Sequence, residues 1–495
     1  MALCLQGKQL EELTQLDIAR THTVSDMVDA MRLCSFGARM LGEVAQTLHQ
    51  TIQEGAPPFL IFDGNRNAPL GKLMRHMVAK GWLSAMATPE EYIRHRQTPK
   101  EKNYVLVVGR FAEKCEEDFW KALDASNARP IFINDHGLAK PGQVRDGFYP
   151  HVVFSDPRFV MPVLYYTLLE RLEDTPTSVS VLMERLSQYG GIAEETAQGA
   201  RLFTKMVRDP DCTVILTLSG AMTIAKMGFL VCEMIERGMV HAISSTGALM
   251  AHGLIESTGL KHYKYDPRFG DDVLAKHKLN RVTDTLEPES NFDYLETGVI
   301  EKVLEEGRDS VMSPSIFHRM LGKYLVESYP HERGILKSAY EHKVPVFVPA
   351  FVDSEIGNDV LVYNWKYGKQ SKRPRIVMDM EKDSDYLIEI ALRAKRLGIF
   401  TIGGGVPRNN VQNVAPLMEI LSSRVAPDIP CRQFFYGVRI CPDPMYYGHL
   451  SGCTYSEGKS WRKFDLDGEF SEIRADATLV WPLLVKYVME QCNPS

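Results

Sequence analysis

Apolar positions in this chain follow two rhythms that take turns. Across residues 17–53 they recur at helical spacing, at Met27, Val28, Met31, Met40, Leu41 and Val44, with no proline to interrupt, which predicts a helix ended by Pro57-Pro58. A short continuous run at 59–62 predicts a buried strand closed by Asp63-Gly64, and residues 71–80 a helix capped by Gly81. Further strands are expected at 83–87, 104–108 and 130–133, with a helix over 112–123 between the last two. The order returns downstream: helix over 182–207, strand 213–218, helix 222–237 ending at Gly238, strand 241–245. A strand at 399–402, a helix from about 409 and an apolar final helix over 477–490 complete the pattern. Strands alternating with helices argue a parallel α/β layer.

The two blocks share a register. Gly71, Met77, Gly81 and Ala85 match Gly228, Met234, Gly238 and Ala242 at one offset, and Pro130-Ile-Phe-Ile133 matches Pro345-Val-Phe-Val348 more loosely. Any two βαβ units share some of this pattern; identities at one fixed offset favour an internal duplication with a degenerate first copy. The expectation is a smaller α/β domain over 1–175, followed by a larger domain over 176–495. Where the second copy has Ser219-Gly-Ala, the first has Asp63-Gly-Asn, and Asp63 would oppose a phosphate rather than cradle it. The first copy is therefore expected to be structural, standing in for a partner subunit.

Composition narrows the function classes. The 495 residues are 44% hydrophobic and 24% charged, ordinary for a globular chain. A net charge of −6 argues against a general nucleic-acid binder. Nine scattered cysteines form no Cys-x-x-Cys and no zinc spacing, so no metal is expected, and their odd count fits reduced thiols in a cytoplasm. The apolar run 213–231 approaches a membrane span in length, yet its β-branched first half and central Ser219-Gly220 read as strand-turn-helix, so no membrane association is expected.

Three turns of small residues follow predicted strands: Leu218-Ser-Gly-Ala-Met222, Ser245-Thr-Gly-Ala248 and Gly403-Gly-Gly405. Each alone is an ordinary βα turn. Together, at strand C-termini of one sheet, they mark the crevice where doubly wound folds bind dinucleotides, with backbone N–H groups at helix N-termini facing phosphate. Asp353 ends another strand and could bind a ribose hydroxyl or an amine, or cap its turn. Asn409 and Asn413 share a helix face, and Asp476 precedes the last helix as a cap or a ribose contact.

The segment Leu450-Ser-Gly-Cys-Thr-Tyr-Ser-Glu-Gly-Lys-Ser-Trp-Arg-Lys463 gathers a carboxylate, cations and an indole. A helix from about Ser456 puts Glu457 and Trp461 on one face. Lys463 lies about 200° beyond Trp461, so only its long side chain would reach the same pocket. An aromatic wall desolvates a lysine and favours the neutral, nucleophilic amine. By composition alone, a solvated amphipathic helix with a packed Trp explains the segment as well.

This segment resembles the active site of deoxyhypusine synthases, especially the archaeal and bacterial type. Other stretches are similar to that family in the same order: Ser-Thr-Gly-Ala248 followed by His252, Leu279-Asn-Arg281, Pro288-Glu289, Pro349-Ala-Phe-x-Asp-Ser-x-Ile-Gly357, Gly403-Gly-Gly-Val-Pro407 and Ala475-Asp-Ala-x-Leu-Val-x-Pro-Leu-Leu484. The resemblance implies a Rossmann-like, doubly wound parallel sheet that assembles as a homo-oligomer, dimer or tetramer, with NAD as cofactor. It implies NAD contacts at Ser219, Gly220, Thr246, Gly247, Asp353, Gly404, Gly405, Ser451, Asp476 and Ala477. It implies substrate contacts at Asn413, Glu457 and Trp461, and Lys463 as covalent nucleophile.

Two departures stand out. The family usually has Gly before the nucleophilic Lys, where this chain has Arg462, a second cation expected beside it. Eukaryotic members hold spermidine with further acids and a histidine; the matching positions here are Asn358, Leu450 and Asn409, of which Asn409 is kept as a substrate contact. The implied reaction is NAD-dependent transfer of an aminobutyl group from spermidine or a related polyamine, through a Lys463 imine, to a lysine of a hypusine-type translation factor. A homospermidine synthase using putrescine, or a non-catalytic partner of an active paralogue, are the alternatives.

Overall fold

The computed structural model describes residues 3–95, 104–109, 113–125, 128–134, 151–308, 311–371 and 374–492. Two compact units emerge: residues 17–198 with 478–495, and residues 1–16 with 199–477.

The first unit is built on a five-stranded parallel sheet, β1 (Phe59–Asp63), β2 (Met86–Ala87), β3 (Tyr104–Gly109), β4 (Arg129–Asn134) and β5 (Val152–Phe154), ordered β2-β1-β3-β4-β5. Ile61, Val105, Val107, Phe119 and Phe132 are buried together, as expected of strands covered by helices. The helix expected over 17–53 is instead two, Val24–Arg32 and Phe36–Gln53. Thr23 and Asp26 form a capping box at the first start. A Cβ on Gly42 would stand 2.5 Å from Cβ of Arg32, so the two helices cross where only glycine fits. The helix expected over 182–207 likewise breaks into Val179–Leu186 and Gly191–Arg208, because Gly190 and Gly191 both take left-handed φ. The expected helix start at 112 lies outside the described residues.

The second unit carries a six-stranded parallel sheet: β6 (Cys212–Leu218), β7 (Ala242–Ser245), β11 (Val346–Phe347), β12 (Arg396–Ile402), β13 (Phe434–Ile440) and β14 (Phe464–Ile473). Between β7 and β11 the chain inserts β8 (Tyr263–Lys264), β9 (Leu279–Val282) and β10 (Thr285–Pro288), a small antiparallel sheet ordered β8-β10-β9. The parallel order is β11-β7-β6-β12-β13-β14, so the chain runs outward in one direction from β6 and in the other from β12. That is the doubly wound Rossmann arrangement, with its switch point between β6 and β12.

Without β11, the larger sheet has the strand order of the smaller one. By that order Arg129–Asn134 corresponds to Phe434–Ile440, an inner strand, whereas Val346–Phe347 lies on the edge. The looser sequence match of 130–133 to 345–348 therefore pairs strands that are not equivalent. The helix expected over 222–237 is shortened to α1 (Gly228–Glu236), because Lys226 stands at φ +68° and the residues before it form turns. Among the described residues no helix is long and apolar enough to cross a membrane.

Candidate functional site

Ser219 closes β6 directly over the switch point. Its N–H and its Oγ–H both donate to the carbonyl of Ile402, at 3.1 Å each, and its Oγ accepts from the N–H of Gly404 at 2.9 Å. These bonds fasten the end of β6 to the triple glycine after β12. Gly403 takes φ +77°, and a Cβ there would strike Ser219 Oγ; a Cβ on Gly404 would stand 2.5 Å from Cα of Ser451. Gly405 takes φ +69° with open space on its Cβ side and starts the helix Gly405–Gln412, earlier than the expected 409. Thr246 caps α2 (Gly247–Ser257) without a side-chain bond of its own.

Two helix N-termini therefore border a cavity of about 520 Å³ at the strand C-termini. Every residue expected at a dinucleotide lines it: Ser219, Gly220, Thr246, Gly247, Asp353, Gly404, Gly405, Ser451, Asp476 and Ala477. Glycine backbone and helix-terminal N–H groups are donors suited to a pyrophosphate, and Asp353 and Asp476 are acceptors suited to ribose hydroxyls. The residue set fits NAD on those grounds.

A second cavity, about 470 Å³, adjoins the first at Gly405, which lines both. Asn409, Asn413, Glu457, Trp461 and Lys463 all line it, with Arg408, Gln412, Leu450 and Cys453. Its floor depends on a short helix, Tyr455–Ser460, N-capped by Thr454, whose hydroxyl accepts from the N–H of Glu457 at 3.0 Å. At the other end the N–H of Arg462 bonds the carbonyl of Lys459 (3.0 Å) and the N–H of Lys463 bonds that of Gly458 (3.1 Å), with Arg462 at φ +55°. This is a Schellman motif, and Lys463 is the residue that follows its left-handed position. Lys463 is thus not on the helix, as its spacing implied. It stands in the turn that feeds β14, where its carbonyl already accepts from the N–H of Phe434 at 3.0 Å.

The Lys463 ammonium donates to Asn409 Oδ1 at 2.9 Å. Burial lowers its pKa, the nearby Arg408 lowers it further, and Cys453 and Glu457 act in the opposite sense. Arg462 is not the second cation. Its guanidinium reaches Glu419, and its left-handed φ explains why glycine suits that position. Trp461 lines the cavity but is 65% exposed, so the desolvation of Lys463 comes from the other walls rather than from an aromatic cover.

Two buried arginines were not anticipated. Arg408 donates to the carbonyl of Cys453 at 2.8 Å, and its guanidinium lies 5.4 Å from the centroid of the Tyr455 ring. Arg439 donates to the carbonyls of Ser451 (2.8 Å) and Cys453 (2.6 Å) and pairs with Glu472 at 3.3 Å. Glu472 in turn accepts from the N–H of Tyr455 at 2.8 Å. Together they hold the loop that presents Ser451 to one cavity and Cys453 to the other. The available signal was a charged residue inside the apolar run 434–440, and another directly after Gly-Gly-Gly-Val-Pro.

A family model and sequence relatives agree on one family. The family model described as Deoxyhypusine synthase matches residues 181–488. The chain is similar to "Probable deoxyhypusine synthase 2" of Methanosarcina mazei, 31% identical over 314 residues, covering 63% of this chain and 87% of that protein. "Probable deoxyhypusine synthase 1" of Archaeoglobus fulgidus is 30% identical over 320 residues, 64% of this chain and 96% of its own length. A "Deoxyhypusine synthase-like protein" of Chlorobaculum parvum is 30% identical over 322 residues, 64% and 88% respectively.

Proposed function

The chain belongs to the deoxyhypusine synthase family, and from that membership we propose that it transfers an aminobutyl group from spermidine, or a related polyamine, to a protein lysine, with NAD as cofactor. The observation that carries this reading is Lys463: an amine with a lowered pKa, held on Asn409, in a cavity that shares Gly405 with the glycine-lined one. A lysine nucleophile must be neutral to attack, and desolvation supplies that.

NAD, when bound along Ser219, Gly220, Gly404 and Gly405, supplies the acceptor and later the donor of a hydride. The chain's residues do the rest. Glu457 pairs with an ammonium end of the polyamine, and Asn413 offers it a hydrogen bond. Lys463 attacks the imine carbon of the oxidised polyamine, the bond to the departing amine breaks, and 1,3-diaminopropane leaves. The aminobutyl group then rests on Lys463 as an imine and passes to the acceptor amine, freeing Lys463. Trp461, packed on the methylene chain, shields that imine from water; its exposed face leaves the mouth open to an acceptor side chain.

We read residues 1–175 in the same light, as a degenerate, structural copy of the catalytic domain over 176–495, and the protein as a cytoplasmic homo-oligomer. The shared strand order supports the duplication.

The test is to incubate the purified protein with NAD and spermidine, trap with borohydride and locate the adduct by mass spectrometry. An aminobutyl adduct on Lys463 with 1,3-diaminopropane released is expected. Absence of both removes the reading. Homospermidine formed on adding putrescine would reassign the acceptor to a small diamine, and activity unchanged in Lys463→Ala would make the chain a non-catalytic partner.

A further inference from the structure

Midway along α2, and outside the residues that line either cavity, His252 meets a buried set of side chains that the proposed chemistry does not use. His252 Nδ1 meets Glu287 Oε2 at 2.6 Å, and His262 Nε2 faces the same oxygen at 3.4 Å. One donor atom from each of the three residues falls within 4.8 Å of the others. Glu287 and His262 are almost fully buried, and His262 Nε2 and Glu287 Oε1 have no hydrogen-bond partner. Buried polar atoms rarely go unpaired, because each has given up its water and gained no partner in return.

On the other side of the His262 ring, Nδ1 lies 3.1 Å from Glu256 Oε1, the same oxygen that Lys226 contacts. A carboxylate holding the outer N–H of an imidazole fixes its tautomer and turns the other nitrogen's lone pair toward the centre, as around protein-bound metals. The competing arrangement has Lys226 donating to Nδ1, 2.8 Å away, and leaves Nε2–H facing Glu287 at 3.4 Å, too long for a good bond.

We propose that His252, His262 and Glu287 form a site for a divalent transition metal of the zinc type, three protein ligands with the fourth position left to water. Around such an ion, with bonds of about 2.0–2.1 Å and tetrahedral angles, ligand atoms stand about 3.3–3.4 Å apart. The His262–Glu287 separation already has that value. The His252–Glu287 contact is a hydrogen bond and opens when the carboxylate turns Oε1 inward. Two imidazoles and one carboxylate suit zinc. The ion would staple α2, which carries His252, to the inserted sheet β8-β10-β9, whose β10 carries Glu287 and whose β8 directly follows His262. The ligands are spread from residue 252 to residue 287, so no short spacing in the sequence marks them.

The test uses the full-length chain without a histidine tag, stripped with chelator and titrated with zinc chloride. Metal content is read by elemental mass spectrometry and stability by scanning calorimetry. One zinc per chain and a rise in Tm of several degrees are expected, with both lost in Glu287→Gln and in His252→Gln. His252→Gln, at the least buried ligand, keeps the test decisive should Glu287→Gln not fold. Wild-type protein that neither retains zinc nor gains Tm overturns the proposal, as does undiminished zinc binding and Tm gain in both variants.

Discussion

Lys463 Nζ is tied to Asn409 Oδ1 by a 2.9 Å hydrogen bond, which joins the turn before β14 to the helix that starts at the triple glycine. Asn409→Asp replaces a neutral acceptor with a carboxylate. That favours the ammonium form and raises the Lys463 pKa, so the rising limb of the activity–pH profile moves to higher pH. Moving the limb up by about one pH unit lowers the rate about tenfold at any pH below it. Steady-state kinetics across about pH 6–10 measures it; an unmoved limb would mean that Lys463 titration does not control the rate.

Arg408 is the cation that acts on Lys463 after burial itself. Arg408→Gln removes the charge, raises the Lys463 pKa and moves the same limb to higher pH. Arg408→Lys keeps the charge and leaves the limb closer to wild type while disturbing the bond to Cys453. The contrast between the two profiles separates electrostatics from loop anchoring.

At Gly404 a Cβ would sit against the Ser451 backbone. Gly404→Ala therefore pushes the Ser451 loop away from the glycine turn. NAD affinity is expected to fall about tenfold or more, equivalent to about 1.4 kcal/mol, measured by calorimetric titration, with little change in spermidine binding.

Arg462 pays a conformational cost of about 1–2 kcal/mol for its left-handed φ. Its ion pair with Glu419 is exposed and contributes about 0–1 kcal/mol. Arg462→Gly should thus be neutral to stabilising by about 1 kcal/mol in urea unfolding, with the Lys463 profile nearly unmoved. Loss of stability would show that the Glu419 pair matters more than the strain.

Periodicity and glycine placement were enough to read the α/β class, the parallel sheet and the turns beside the glycine-lined cavity. Strand burial and βα turn chemistry are local and leave marks within a few residues. The split of the first long helix could not be read, because it depends on Gly42 meeting Arg32 across two helices. The position of Lys463 could not be read either. Spacing carried the helix on past Trp461, while the Schellman turn at Arg462, a residue without glycine's freedom, ended it. Arg408 and Arg439 act through carbonyls distant in sequence, and His252, His262 and Glu287 meet only because the inserted sheet folds back on α2. Local chemistry in this chain is written in its order of residues; charge and ligand geometry at the lysine and at the histidine cluster arise where distant segments close on one another, since burial and Coulomb interaction depend on distance in space.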